Sequence, residues 1–183
     1  MMGMVFKALL LGLLFGFVAK ETLAATCPAL LDSTQRKLNS TEQVDLCNEY
    51  SGKVLLVVNT ASQCGYTGQY KQLEQLHNRY KAQGFSVVGF PSNDFNQDRG
   101  SEENTAKICY LDYGVTFPMM ARSSVKGTQA NPVFSEIARQ SGVVPKWNFY
   151  KYLIGQDGRV VGVFSSSVSP VDDKITEMIE KQL

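Results

Sequence analysis

The sequence predicts an α/β fold, a central mixed β-sheet flanked by helices, and three observations carry that prediction. Apolar runs of strand length alternate with segments of helical period along most of the chain. Two later β-rich runs flank Gln156-Asp157-Gly158, whose Asp-Gly pair is a strong hairpin signal. The chain of 183 residues, 44% of them apolar, is the size of one domain with one good core.

The elements follow in order. Short apolar pieces around the turn Asn39-Ser40-Thr41, within residues 30–50, predict a small N-terminal hairpin. Residues 54–59, β-branched and leucine-rich, form a strand. Tyr70, Leu73, Leu76 and Tyr80 then recur at helical spacing until Gly84 ends the helix. Residues 85–90 make the second strand. Ser101 is the N-cap of a helix through Asp112 that carries Ala106, Ile108, Cys109 and Leu111. Pro132 opens another helix, with Phe134, Ile137 and Ala138, that stops at Gly142. Residues 149–154 and 159–164 form the hairpin. After Ser169-Pro170 comes a last helix with Val171, Ile175, Met178 and Ile179 on one face and Ser169 as its N-cap. This order is the layout of a thioredoxin-like sandwich with an insertion between its halves.

The N-terminus reads as a targeting segment. Lys7 precedes the apolar run 8–19, and Thr22-Leu23-Ala24 supplies small residues where signal peptidases cut. Residues 1–24 are therefore expected to be a secretory signal peptide and residues 25–183 the domain. The apolar run is too short to span a bilayer comfortably, so no stable membrane insertion is expected after cleavage. A secreted or periplasmic location follows, and it bears on the cysteines because disulfides persist in oxidising compartments. Cys27 and Cys47 flank the polar turn; a disulfide between them would staple the N-terminal arm to the domain, although spacing alone leaves two free thiols as the alternative. Asn39-Ser40-Thr41 also fits the N-glycosylation pattern, which matters only in a eukaryotic secretory pathway.

Charge and composition exclude several functions. Lys and Arg number 18 against 17 Asp and Glu, a formal charge of +1, so there is no electrostatic footprint for nucleic acid. His77, the only histidine, cannot anchor a metal site alone. It reads as a surface or locally satisfied residue of its helix, and Met119-Met120 reads as core filling with an apolar lining for a substrate approach as the alternative. No phosphate loop and no Ser-His-Asp order is present.

Chemistry concentrates at Cys64. The run 54–70 places this cysteine between a buried strand and a helix start, where unpaired N–H groups and the helix macrodipole favour a thiolate. Cys64-Gly65-Tyr66-Thr67 has the outline of a C-x-x-C redox motif whose second cysteine has become threonine. Any second sulfur must come from elsewhere in the chain.

The segments Asn59-Thr60-Ala61-Ser62-Gln63-Cys64-Gly65-Tyr66-Thr67, Gly89-Phe90-Pro91-Ser92-Asn93-Asp94-Phe95, Tyr113-Gly114-Val115-Thr116-Phe117-Pro118 and Lys146-Trp147-Asn148-Phe149, in this order, resemble the glutathione peroxidase family in its cysteine-containing form. The resemblance implies a thiol peroxidase that reduces hydrogen peroxide and organic hydroperoxides, with Cys64 as nucleophile. It implies Gln97, Trp147 and Asn148 as neutral donors around the sulfur. The loop Phe95-Asn96-Gln97-Asp98-Arg99-Gly100 is one residue shorter than the family's pattern and lacks its proline, which leaves Asn96 as the alternative to Gln97. Cys109 stands where two-cysteine, thioredoxin-using members carry the resolving cysteine, so the resemblance implies a Cys64–Cys109 disulfide during turnover, with the 101–112 helix loosening to allow it. The reductant is then a thioredoxin-like protein or glutathione, and no dissociable cofactor is needed. The short stretch between Gln140 and Trp147 lacks the segment tetrameric relatives use for assembly, so a monomer is expected. A thiol–disulfide oxidoreductase and a non-catalytic redox sensor are the alternative functions.

Overall fold

The computed structural model describes residues 1–3 and 27–183; the signal-peptide expectation falls almost entirely outside the described residues. Its centre is β3 (Val54–Thr60), in which every residue is buried. A strand covered on both faces needs a continuous apolar run, which Val54 to Val58 supplies. β4 (Phe85–Pro91) pairs with it in parallel on one side, and β5 (Lys151–Ile154) antiparallel on the other. β6 (Val160–Phe164) completes the sheet in the order β4-β3-β5-β6. The sheet is mixed because a helical crossover joins β3 to β4, whereas a tight Asp-Gly turn with Gly158 at φ 77° joins β5 to β6.

Helices cover both faces. α2 (Gln69–Tyr80) buries Tyr70, Leu73, Leu76 and Tyr80 beside Val54, Leu56 and Val58, and α5 (Asp173–Gln182) adds Ile175 and Ile179 to the same core. On the opposite face, α4 (Pro132–Ser141) contributes Val133, Phe134 and Ile137 to a second core with Leu55, Val57 and Tyr152. The N-terminal hairpin, β1 (Thr34–Arg36) with β2 (Gln43–Asp45), leads into the short α1 (Leu46–Tyr50). Through Leu38 and Arg36 it bonds to Met119 and Ala121, and this strip in turn pairs with Gly89, so the β4 edge is not left open. A Cβ at Gly89 would overlap the Met119 sulfur, so only glycine admits that close approach.

Several boundaries differ from the sequence reading. β5 starts at Lys151 rather than Phe149, because Phe149 takes a left-handed φ of 64° that no strand accommodates. α5 starts at Asp173 with Asp172 as its N-cap; the Ser169 hydroxyl instead accepts the Val171 N–H in the preceding turn. The helix capped by Ser101 is regular only over α3 (Glu102–Ala106) and continues as a π-helical segment, Lys107–Asp112. His77 is buried, its Nδ1 accepting the Val87 N–H at 3.3 Å, and both Met119 and Met120 lie in the core.

Candidate active site

Cys64 lies in the loop 61–68, beyond the C-terminal end of β3, where open α/β sheets place their ligand sites. Here the structure corrects the expectation of a cysteine on a helix start, since α2 begins only at Gln69. Between them run tight turns in which the Cys64 carbonyl accepts the Thr67 N–H at 2.9 Å and the Tyr66 carbonyl accepts the Gln69 N–H at 2.8 Å. Cys64 is 8% exposed, and its sulfur accepts the Tyr66 N–H at 3.5 Å.

Thr67, which reads in the sequence as a lost second cysteine, has a structural task. Its hydroxyl accepts the Cys64 N–H at 3.0 Å and lies 2.7 Å from the Cys64 carbonyl and 3.0 Å from that of Ala61, to one of which it donates. The reactive loop is thus closed on itself by a side chain that cannot form a disulfide.

Loop 93–100 holds the other side. The Gln97 carbonyl accepts the Gln63 N–H at 2.9 Å, next to Cys64, while the Gln97 side chain is half-buried and makes no hydrogen bond among the described residues. Asn96, the alternative, is exposed with a left-handed φ of 56°, which is where the shortened loop turns. Asp98 is fully buried. Its carboxylate accepts the Ser62 N–H at 2.9 Å, the Thr105 hydroxyl at 3.2 Å and Arg122 Nε at 2.9 Å, so one side chain ties the Cys64 loop to α3 and to residue 122.

The third wall is the turn 147–150. Asn59, at the end of β3, donates from Nδ2 to the Trp147 carbonyl at 3.1 Å, accepts the Tyr150 N–H on Oδ1 at 3.0 Å and accepts the Phe149 N–H on its carbonyl at 2.6 Å. Trp147 is 40% exposed, and its ring lies 5.4 Å from that of Phe95 in the Gln97 loop. Asn148 is fully buried, yet neither atom of its side-chain amide has a hydrogen-bond partner among the described residues. A buried unpaired amide costs about 1–3 kcal/mol, which a reacting sulfur or oxygen would relieve.

The structure therefore brings Cys64, Gln97, Trp147 and Asn148 to one end of the sheet through bonds made by their neighbours. Asn59 and Asp98 are the supporting residues that sequence reasoning passed over. Each is a polar residue in an apolar or turn context, which is the signal that could have found them.

Cys109 is a free thiol within the same core, buried on the π-helical segment, with its S–H directed at the Ala106 carbonyl at 3.5 Å. Burial pushes its thiol up to about 12, so it is protonated at neutral pH. Leu111, two residues on, faces the opposite way and is 75% exposed. Cys27 and Cys47 are joined in a disulfide with Cα atoms 5.8 Å apart, away from this site. Among the described residues there is no cluster of metal-ligating side chains, and no helix is long and apolar enough to cross a membrane.

The family model described as glutathione peroxidase matches residues 30–138, a span that includes Cys64, Gln97 and Cys109. The chain belongs to the glutathione peroxidase family. It is 44% identical to the glutathione peroxidase-like peroxiredoxin HYR1 of Saccharomyces cerevisiae over 142 residues, 74% of this chain and 86% of that one. The crystal structure of Trgpx in its apo form superposes with a TM-score of 0.67 at 36% identity, covering 86% of this chain and 96% of the other. A thioredoxin-family thiol:disulfide interchange protein from Chlorobium tepidum, 19% identical, superposes with a TM-score of 0.61 over 80% of this chain and 92% of its own, which establishes the thioredoxin-like fold.

Proposed function

We infer that this member of the glutathione peroxidase family is a thiol peroxidase that works through Cys64. The single observation that carries the reading is the buried cysteine in a loop closed by Thr67, at the same end of the sheet as a buried Asn148 amide that has no hydrogen-bond partner among the described residues.

The chemistry proceeds in three steps. The Cys64 thiolate attacks one peroxide oxygen, the O–O bond breaks, and the departing oxygen takes up a proton to leave as water or alcohol, with Cys64 as a sulfenic acid. Asn148, with the indole N–H of Trp147 and the amide of Gln97, supports the negative charge that builds on the leaving oxygen. Cys109 then attacks the sulfenic sulfur, expelling water and giving a Cys64–Cys109 disulfide. A dithiol protein of thioredoxin type reduces that disulfide by two exchanges; glutathione is the other candidate reductant.

The π-helical segment bears on the second step. A disulfide needs Cα atoms within about 7 Å, and a protonated, buried thiol is a poor nucleophile. Local opening of Lys107–Asp112 would uncover Cys109 and free it to ionise. α3 itself stays anchored, because Glu102 binds Arg36 Nη2 at 2.7 Å and the Arg122 N–H at 3.1 Å.

We further propose a secreted or periplasmic monomer with no dissociable cofactor. The Cys27–Cys47 disulfide supports an oxidising compartment. The test is peroxide consumption under excess reductant, with thioredoxin and glutathione regenerating systems supplied separately. Thioredoxin-supported turnover lost in both Cys64→Ser and Cys109→Ser supports the cycle. Glutathione-supported turnover that needs only Cys64 makes Cys109 structural, and a single turnover with either reductant indicates a redox sensor.

A further inference from the structure

β5 opens with a buried lysine that the cycle above does not use. Lys151 has no exposed surface and pairs with Val58, so it points to the face of the sheet covered by α2. Its Nζ lies 2.8 Å from the Phe149 carbonyl, 3.3 Å from that of Ser165 and 3.4 Å from that of Ser166. Three acceptors meet the three donors of an ammonium group. Among the described residues no carboxylate pairs with it, and burial pulls the ammonium down to about 7. An apolar side chain would fill this position without that cost, so packing does not account for a lysine.

The three carbonyls do account for it, because they belong to two turns that meet at the site. Phe149 holds a left-handed φ of 64°, strained for an aromatic residue, directly after Asn148. Ser166 donates its hydroxyl to the Asn148 carbonyl, and its own carbonyl also accepts Gln69 Nε2 at 2.7 Å. Lys151 is thus the hub between the turn 147–150, the loop 165–168 and the first residue of α2.

We propose that Lys151 is a positioning residue of the peroxidatic site: its side-chain nitrogen holds the strained turn at Phe149 and so fixes the Asn148 amide for the reacting atoms. The proposal rests on the reading of Cys64 and Asn148 given above. It predicts that Lys151 and Asn148 act as one unit.

The test is a double-mutant cycle with Lys151→Met, Asn148→Ala and their combination, in the full chain. Oxidation of Cys64 by hydrogen peroxide is followed through the emission of Trp147, the only tryptophan. Each single variant is expected to lower the second-order rate constant on the order of 10- to 100-fold. The combination should fall no further than the worse single variant, because both changes disable the same donor. Reduction of the oxidised protein by dithiothreitol should stay unchanged, which a general loosening of the fold would not allow. Multiplied losses in the double variant, or an unchanged rate constant in a folded Lys151→Met, overturn the proposal. Should Lys151→Met fail to fold, Lys151→Gln, which keeps hydrogen-bond donors without the charge, takes its place, and its loss must likewise fail to multiply with that of Asn148→Ala. Cys64→Ser is the control: a peroxide response that survives it overturns the reading of Cys64 itself, a result distinct from failure of the Lys151 cycle.

Discussion

Replacing Asp98 by alanine removes a fully buried carboxylate that accepts from Ser62, Thr105 and Arg122 at 2.9, 3.2 and 2.9 Å. Two of these bonds have a neutral donor and one a guanidinium, and hydrogen bonds to a charged group contribute roughly 1.5–3 kcal/mol each. Arg122 moderates the loss: its side chain is a quarter exposed and keeps a 2.7 Å bond to the Gly100 carbonyl, so it is left solvated rather than stranded. The Ser62 N–H has no such outlet. The expected destabilisation is about 3–5 kcal/mol, read as a lower urea midpoint at unchanged m-value. Asp98→Asn, which keeps an acceptor for Ser62, should lose about half of that. Because Ser62 lies two residues before Cys64, Asp98→Ala should also slow oxidation of Cys64 by peroxide. A loss below about 1 kcal/mol with unchanged Cys64 reactivity would refute the claim that this carboxylate holds the reactive loop.

Other outcomes follow from the same geometry. In the reduced protein at pH 7, iodoacetamide should alkylate Cys109 far more slowly than a free cysteine, since burial pushes its thiol up to about 12; peptide mapping would show equal labelling if the thiol were accessible. Removing the Cys27–Cys47 disulfide, whose ends are 20 residues apart, should lower stability by about 3 kcal/mol and leave peroxide turnover intact. Lys151 falls from 10.5 to about 7 on folding, so between these values the unfolded chain holds a proton that the folded chain lacks. Its contribution to stability is therefore lost as pH falls through that window, and the difference in unfolding free energy between wild type and Lys151→Met should grow by about 2 kcal/mol from pH 7 to 9. A difference independent of pH would mean that Lys151 is not desolvated.

Much of the fold was legible because its signals are local. Tyr70, Leu73, Leu76 and Tyr80 recur at a helical period and are all buried, and Asp157-Gly158 turns where a hairpin must. Cys64 stood out because a cysteine follows a buried strand in a glycine-containing loop. What the sequence hid depends on long-range partners. The regular helix drawn from Ser101 to Asp112 breaks at Lys107, where Tyr113 bonds to Ile108 and Val115 to Cys109 instead of continuing an α-helical ladder. Phe149 reads as a strand residue, and only the Asn59 bonds around it reveal a left-handed turn. Asp98 and Lys151 look like surface charges until Arg122 in one case and three carbonyls in the other are brought to them by the fold.

In the proposed cycle Cys64 takes the oxygen and Cys109 resolves it. The most direct measurement is peptide mapping of the reduced protein after one equivalent of hydrogen peroxide, under non-reducing conditions. The account predicts loss of both free thiols and a peptide pair linked through Cys64 and Cys109, formed within one chain and independent of protein concentration. Cys64 found as a sulfinic acid beside an unmodified Cys109 thiol, or a linkage that grows with protein concentration, would contradict it.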